Sequence, residues 1–235
     1  ETGMTLHHIY GIPYLPASSI KGLVRSYLIQ EYFTYDSDGN KRGKPGEYNA
    51  LLKEEFALLF GTERVFSVKD RAGTTHSEQS ILLNAKDEPT EHIGNMVFFD
   101  AFPIHNEKEG FDTNPKVQLD IMNPHYPDYY GYEPGENKFQ PPADWQSPVP
   151  IFFFTVKDTN FQFLFGLRKG LTAEEKKIMI EEKTWFEHPE DEEMHIKGTA
   201  IDAVSKLLRY ALQFHGIGAK TAVGYGRMSA QGENK

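Results

Sequence analysis

Two short segments carry residue types that can do chemistry, and in both the chemistry is anion binding rather than bond breaking. Glycine occupies positions 216, 218, 224 and 226 around Lys220 and Thr221, with Arg227 directly after. Glycine costs roughly 0.5–1 kcal/mol against alanine inside a helix or strand, so such a cluster signals special backbone angles or the close approach of another molecule. Successive N–H groups beside a lysine and a hydroxyl can line a concavity suited to phosphate oxygens. The same residues also read as a helix C-cap at Gly216 and a tight turn into a strand. No Walker lysine–serine pair is present to mark a nucleotide loop.

The second segment runs Gly11-Ile-Pro-Tyr-Leu-Pro-Ala-Ser-Ser-Ile-Lys-Gly-Leu-Val-Arg25. Pro13 and Pro16 hold an extended lead-in, and Ser18 or Ser19 is expected to cap a helix continuing through Leu23, Val24, Tyr27 and Leu28. Lys21 and Arg25 lie four apart and share a face of that helix, with Gly22 beside them. Hydroxyls, free N–H groups and two cations then gather at one helix start, a ready anion site. A capped surface helix with solvated basic residues explains the same letters.

Other chemistries find less support. His7, His8, His125 and His215 can in principle move protons, but single histidines are far more often structural or solvated. His7 and His8 read as strand neighbours pointing to opposite faces. His215 falls at a helix C-terminus, where its charged form suits the dipole. Asp100 and Asp120 lie in strand-like runs without a paired acid. No His-Glu-x-x-His helix and no cysteine is present, so neither a metal nor another cofactor is expected. The sequence therefore points away from catalysis.

The elements that position these segments come from periodicity. Leu51 to Phe60 reads as one helix stopped by Gly61, and residues 62–90 as polar and irregular, with 69–76 exposed. The polar stretch from Tyr35 to Gly46 reads as a mobile loop. Met96 to Phe102 reads as a buried strand and Lys116 to Met122 as a half-buried one. Residues 126–150, rich in proline, glycine and tyrosine, read as a long ordered or partner-bound loop. Pro150–Val156 and Asn160–Gly166 are expected to form a hairpin about Lys157-Asp158-Thr159. Thr172 starts a short helix reaching Glu182. A longer helix runs from Thr199 to Phe214 with Ile201, Val204, Leu207, Leu208, Ala211 and Leu212 inward, and Tyr225 to Ala230 returns as a closing strand.

The chain has 235 residues, of which 39% are hydrophobic, enough for the core of the single domain (1–235) expected here. The formal charge of −9 argues against a general nucleic-acid binder. Its acidic blocks, such as 187–193, would repel RNA from the wrong face, while the basic residues concentrate in the two motifs. No apolar run approaches the roughly 20 residues that span a bilayer. No secretory leader pattern opens the sequence, and the lack of cysteine is compatible with the cytoplasmic location expected.

Together the two motifs resemble the RAMP superfamily of CRISPR RNA-binding proteins, in which a Pro-x-Ser-Ser-x-Lys-Gly-x-x-Arg helix start and a C-terminal glycine-rich loop recur. Leu119-Asp-Ile-Met-Asn-Pro-His-Tyr-Pro-Asp-Tyr-Tyr130 is similar to a stretch of the sixth-subunit family of the type III-B Cmr effector complex. Thr2-Gly-Met-Thr-Leu-His-His8 fits the same family. The resemblance implies an α+β, ferredoxin-like (RRM-like) fold with large loop insertions. Few residues precede Gly11, so the first strand of that fold is expected to come from another segment.

The resemblance further implies a non-catalytic crRNA-binding structural subunit near the end of a backbone filament. Its partners would be crRNA, target RNA and other Cmr subunits, above all the repeated backbone RAMP subunit, with no membrane involved. Ser18, Ser19, Lys21, Gly22, Arg25, Gly216, Gly218, Lys220, Thr221, Gly224, Gly226 and Arg227 would hold RNA. His125, Tyr126, Tyr129 and Tyr130 would contact RNA or a neighbouring subunit. RAMP relatives that process CRISPR RNA use histidine with tyrosine or lysine, so an endoribonuclease stays open, as does a protein-only scaffold.

Overall fold

The structure, a computed structural model, describes residues 4–35, 43–104, 116–123 and 150–230. Contacts divide the chain into two compact units, one of residues 1–15 and 101–162 and a larger one of 16–100 and 163–235. The larger unit opens with α1 (Ala17–Leu28), α2 (Gly46–Leu51), α3 (Glu54–Phe60), β1 (Val65–Lys69), β2 (Thr75–Gln79) and β3 (Met96–Phe98). The smaller unit holds β4 (Phe102–Pro103), β5 (Lys116–Met122), β6 (Ile151–Lys157) and β7 (Phe161–Gln162). The larger then resumes with β8 (Phe165–Leu167), α4 (Ala173–Ile180), β9 (Lys183–Phe186), β10 (Ile196–Gly198) and α5 (Ala200–Tyr210).

The core of the larger unit follows from two amphipathic helices. Ile20, Val24, Tyr27 and Leu28 recur at helical spacing in α1 and are buried. In α5 the buried set is Ala200, Ala203, Val204, Leu207 and Leu208. Fully burying a side chain of the leucine class contributes about 1.5–3 kcal/mol, so these two stripes add substantially to the unit's stability, beside the five residues that α3 buries. The helices pack on one another, and each also touches one strand of the antiparallel β3–β8 pair. Met96 stands opposite Leu167 there, and Phe98 opposite Phe165. A π-helical turn, Ala211–His215, extends α5. Its His215 sits 3.1 Å from the Glu31 carboxylate, beyond the end of α1.

In the smaller unit β5 and β6 form an antiparallel ribbon in register from Lys116 opposite Lys157 to Met122 opposite Ile151. Alternation puts Val117, Leu119 and Ile121 on one face with Val156, Phe154 and Phe152. Ahead of it, residues 4–14 make a tight turn, in which the His7 carbonyl accepts the Gly11 N–H at 2.7 Å. Leu15 and Ala101 then exchange two backbone hydrogen bonds, each 2.9 Å.

Several expectations need correction. The 51–60 helix is two helices, because Leu52 leaves the helical region at ψ 5° before α3 begins. Residues 62–90 contain the β1–β2 hairpin, closed where the Asp70 carboxylate accepts the Ala72 and Thr74 N–H groups. The stretch 150–166 is not one hairpin. β6 pairs with β5, whereas 161–162 pair with 102–103 and 165–167 with 96–98. The 96–102 run is two short strands, 96–98 and 102–103. Lys116–Met122 is mostly exposed rather than half-buried. Ile201 faces outward at 43% exposure, and no strand forms over Tyr225–Ala230. His7 and His8 do not diverge; a turn bends the chain there and their rings stack at 5.0 Å. Most of the 35–46 loop and of the 126–150 loop lies outside the described residues. Among those that are described, no helix is long and apolar enough to cross a membrane.

Candidate nucleic-acid interface

The glycine loop leaves the α5 extension at Gly216 and closes on itself. Ile217 donates its N–H to the Gly226 carbonyl at 2.9 Å, and Tyr225 donates to Lys220 at 3.3 Å. Thr221–Val223 forms a single 3-10 turn, after which Met228 donates to Leu212 at 3.1 Å. Gly216, Gly218, Gly224 and Gly226 all have positive φ, as expected of Gly218 (100°) and Gly224 (99°). Lys220 takes the same left-handed region at 62° despite its side chain. At Gly226 a Cβ would run into the Ile217 carbonyl, and at Gly216 it would lie 3.0 Å from the Tyr225 oxygen. These two glycines let two backbone strands meet. Gly218 and Gly224 face open space.

Internal hydrogen bonds therefore use the amides of Ile217, Val223, Gly224, Tyr225 and Met228. Among the described residues, the Gly218, Ala219, Thr221 and Ala222 amides have no acceptor. Gly218, Ala219 and Ala222 are exposed, as is Arg227, while Thr221 is half-buried. Donors, a cation and a hydroxyl thus sit on a surface loop whose shape is fixed by its own closure.

The α1 motif is arranged differently. The helix begins at Ala17, and its N-cap is Pro16, with no side-chain cap. Ser18 and Ser19 are already inside the first turn and exposed, so neither caps it. The Ala17 N–H instead donates to the Asp100 carboxylate at 2.7 Å. Arg25 binds the Glu47 carboxylate at 2.7 Å and lies 5.4 Å from the Phe56 ring centroid. Lys21 is half-buried on the same face, and Gly22 is exposed. Burial, and then the like charge of Arg25, holds the Lys21 ammonium below its ordinary pKa. α1 packs against α5 and the π-helical turn leading into the glycine loop, so both motifs rest on one helical pair. His125, Tyr126, Tyr129 and Tyr130 lie outside the described residues.

Sequence reasoning missed a polar cluster around Arg168. Its Nε donates to Asn95 Oδ1 at 3.0 Å, and its Nη2 reaches the Glu175 carboxylate at 3.3 Å. His92 meets the same carboxylate oxygen at 3.0 Å. Burial pushes the Glu175 carboxyl up. Hydrogen bonds from His92 and from the Thr172 amide and hydroxyl, with the Arg168 charge, outweigh it and hold the group down at about 2. The Thr172-x-x-Glu175 spacing of a capping box was the readable signal.

The RAMP superfamily model matches residues 1–229. This chain belongs to the RAMP superfamily. It is 34% identical over 251 residues to the CRISPR system Cmr subunit Cmr6 of Pyrococcus furiosus, a match covering 97% of the chain. The chain spans 61% of that relative's length. Among solved structures, the crystal structure of Cmr6 from Pyrococcus furiosus matches 94% of this chain and 84% of its own. The sequence identity there is 26% and the TM-score 0.40.

Proposed function

We propose that this chain is a non-catalytic crRNA-binding structural subunit of a type III-B CRISPR (Cmr) complex, placed near the end of its backbone filament. The observation that carries the reading is the self-closed glycine loop, which presents the unpartnered Gly218, Ala219, Thr221 and Ala222 amides beside Lys220 and Arg227. Such a loop fixes phosphates and reads no bases, which suits a guide whose spacer varies. The similarity to a Cmr subunit over almost the whole chain supports the assembly part of the reading. Crowding of α1, α5 and the β3–β8 pair into one unit supports a ferredoxin-like arrangement. Residues 4–15 bridge within the smaller unit, Leu6 to Pro13 and Leu15 to Ala101.

The partners are crRNA, target RNA and other Cmr subunits. The test is reconstitution of the complex with this chain and mapping of its crosslinks to crRNA. Crosslinks to 216–227 and the α1 segment are the expected result. Absence of any RNA contact, or cleavage of repeat RNA by the isolated chain that is lost in His7→Ala or His8→Ala, overturns it.

A further inference from the structure

A cleft of about 320 Å³ opens in the larger unit between the start of α1, the β3 strand and Arg168. That volume lies at the small end of ligand sites, which run from about 300 to 1,000 Å³, and is near what one nucleotide fills. The polar side chains among its lining residues are those of Ser18, Lys21 and Arg168, and Ile93, Met96, Val97 and Phe98 supply the apolar ones. We propose that this cleft takes one nucleotide of single-stranded RNA, its phosphate on Lys21, Arg168 and Ser18 and its base against the apolar wall. The proposal rests on the RNA-binding reading above and extends it from phosphate contacts to a base-holding pocket, with Arg168 and Ile93 as new site residues.

Charge decides the class of ligand. Among the described residues Lys21 has no carboxylate within ion-pair distance. It is nonetheless drawn out of water beside Arg25, so the site holds positive charge that the fold does not neutralise. Arg168 spends its Nε on Asn95 and its Nη2 on Glu175, which fixes the guanidinium without consuming its other donors. The amide that would commonly meet an anion at this helix start is already taken by Asp100. The side chains of Lys21, Arg168 and Ser18 then supply most of the phosphate contacts.

The apolar wall argues for more than a bare anion. Ile93, 82% exposed, continues the apolar lining formed by Met96, Val97 and Phe98. A base laid against Ile93 and β3 removes that apolar surface from water. The wall reads no Watson–Crick edge, consistent with tolerance of any base.

The test uses the full chain and a single-stranded RNA carrying 4-thiouridine at successive positions, with crosslinks mapped by mass spectrometry. Crosslinks to residues 93–98 are expected. Ile93→Ser should lower their yield at least about fivefold, the equivalent of a base contact worth ~1 kcal/mol, without changing the melting temperature. Lys21→Met should weaken binding of the same RNA, and an RNA abasic at the crosslinking position should be indifferent to Ile93→Ser. Crosslinks found only at 216–227, with both variants binding as wild type, overturn the pocket and leave the RNA reading standing. A wild-type chain that retains no RNA removes both. Preferential binding of an acidic peptide, displacing RNA from Lys21, would assign the cleft to a protein and overturn the proposal.

Discussion

The two motifs on the α1–α5 pair handle the same task by opposite means. At α1 the fold consumes two of the anion-binding groups and leaves Lys21: Asp100 occupies the first amide and Glu47 holds Arg25. In the glycine loop the fold consumes backbone carbonyls instead, closing 217 on 226 and 225 on 220, and leaves several amides unmet. One motif is electrostatically committed and the other sterically committed. A basic helix start therefore says little about binding until its counter-ions are known. A glycine cluster says more, because its cost is justified only by the geometry it permits.

The largest effect is expected where the steric commitment is tightest. Gly226→Val combines φ of 72° with a Cβ aimed at the Ile217 carbonyl, and should cost at least about 2 kcal/mol of loop stability. RNA retention should fall with it, while α1 and α5 keep their helical circular dichroism. Gly218→Val and Gly224→Val meet no atoms and carry only the left-handed strain, about 1–2 kcal/mol each. Wild-type RNA retention by all three variants would reduce the loop to a spacer.

The electrostatic side has its own probe in Glu175, which faces His92 and Arg168. Its pKa is lowered on folding, from 4.5 to about 2. A depressed carboxyl stabilises the native state above its unfolded pKa and loses that contribution as pH falls through its folded value. The stability difference between wild type and Glu175→Gln should thus be on the order of 1–3 kcal/mol at neutral pH. It should shrink as the pH falls from about 5 toward 2. Chemical denaturation at stepped pH reads this directly, and a difference that does not vary with pH would detach Glu175 from the Arg168 cluster.

What was legible in the sequence tracks how local the physics is. The apolar spacing of α1 and α5, the Thr172 and Thr199 helix starts and the positive φ of Gly218 and Gly224 depend on neighbours within a few positions, and all are seen. The chain does bend at Asp158, with φ 45°, but the hairpin expected about 157–159 does not form. Its strands pair elsewhere, because alternation names a buried face and not a partner. The β1–β2 hairpin escaped notice since β2 is polar almost throughout and only Phe66 and Val68 of β1 are buried. Glu47 and Asp100 reach the α1 motif from 22 and 83 residues away, a separation at which no spacing rule operates. The long ordered or partner-bound loop expected at 126–150 lies almost wholly outside the described residues.

Salt dependence separates the motifs further. Replacing Lys220 or Arg227 with alanine should lower the slope of log K against log salt by roughly 0.7 for each lost contact with single-stranded RNA. Arg25→Ala should change it less, because the charge removed is one that Glu47 already screens. Filter binding at four salt concentrations distinguishes these, and equal slopes for Arg227→Ala and Arg25→Ala would erase the distinction between the glycine-loop arginine and the one that Glu47 holds.

The smallest effects test the helix starts. An N-cap serine or threonine contributes about 0.5–2 kcal/mol, yet Ser18 and Ser19 make no capping bond, since α1 begins before either. Ser19→Ala should therefore leave the melting temperature unchanged, and Ser18→Ala should leave it unchanged while altering RNA affinity if its hydroxyl meets phosphate. Thr199→Ala removes a capping box, with Thr199 Oγ1 accepting the Asp202 N–H and Asp202 returning a bond to the Thr199 amide at 3.0 Å. It should lower stability by about 1 kcal/mol. A melting loss in Ser19→Ala as large as that in Thr199→Ala would mean that α1 starts later than Ala17, and would return its first amides to the pool available for anions.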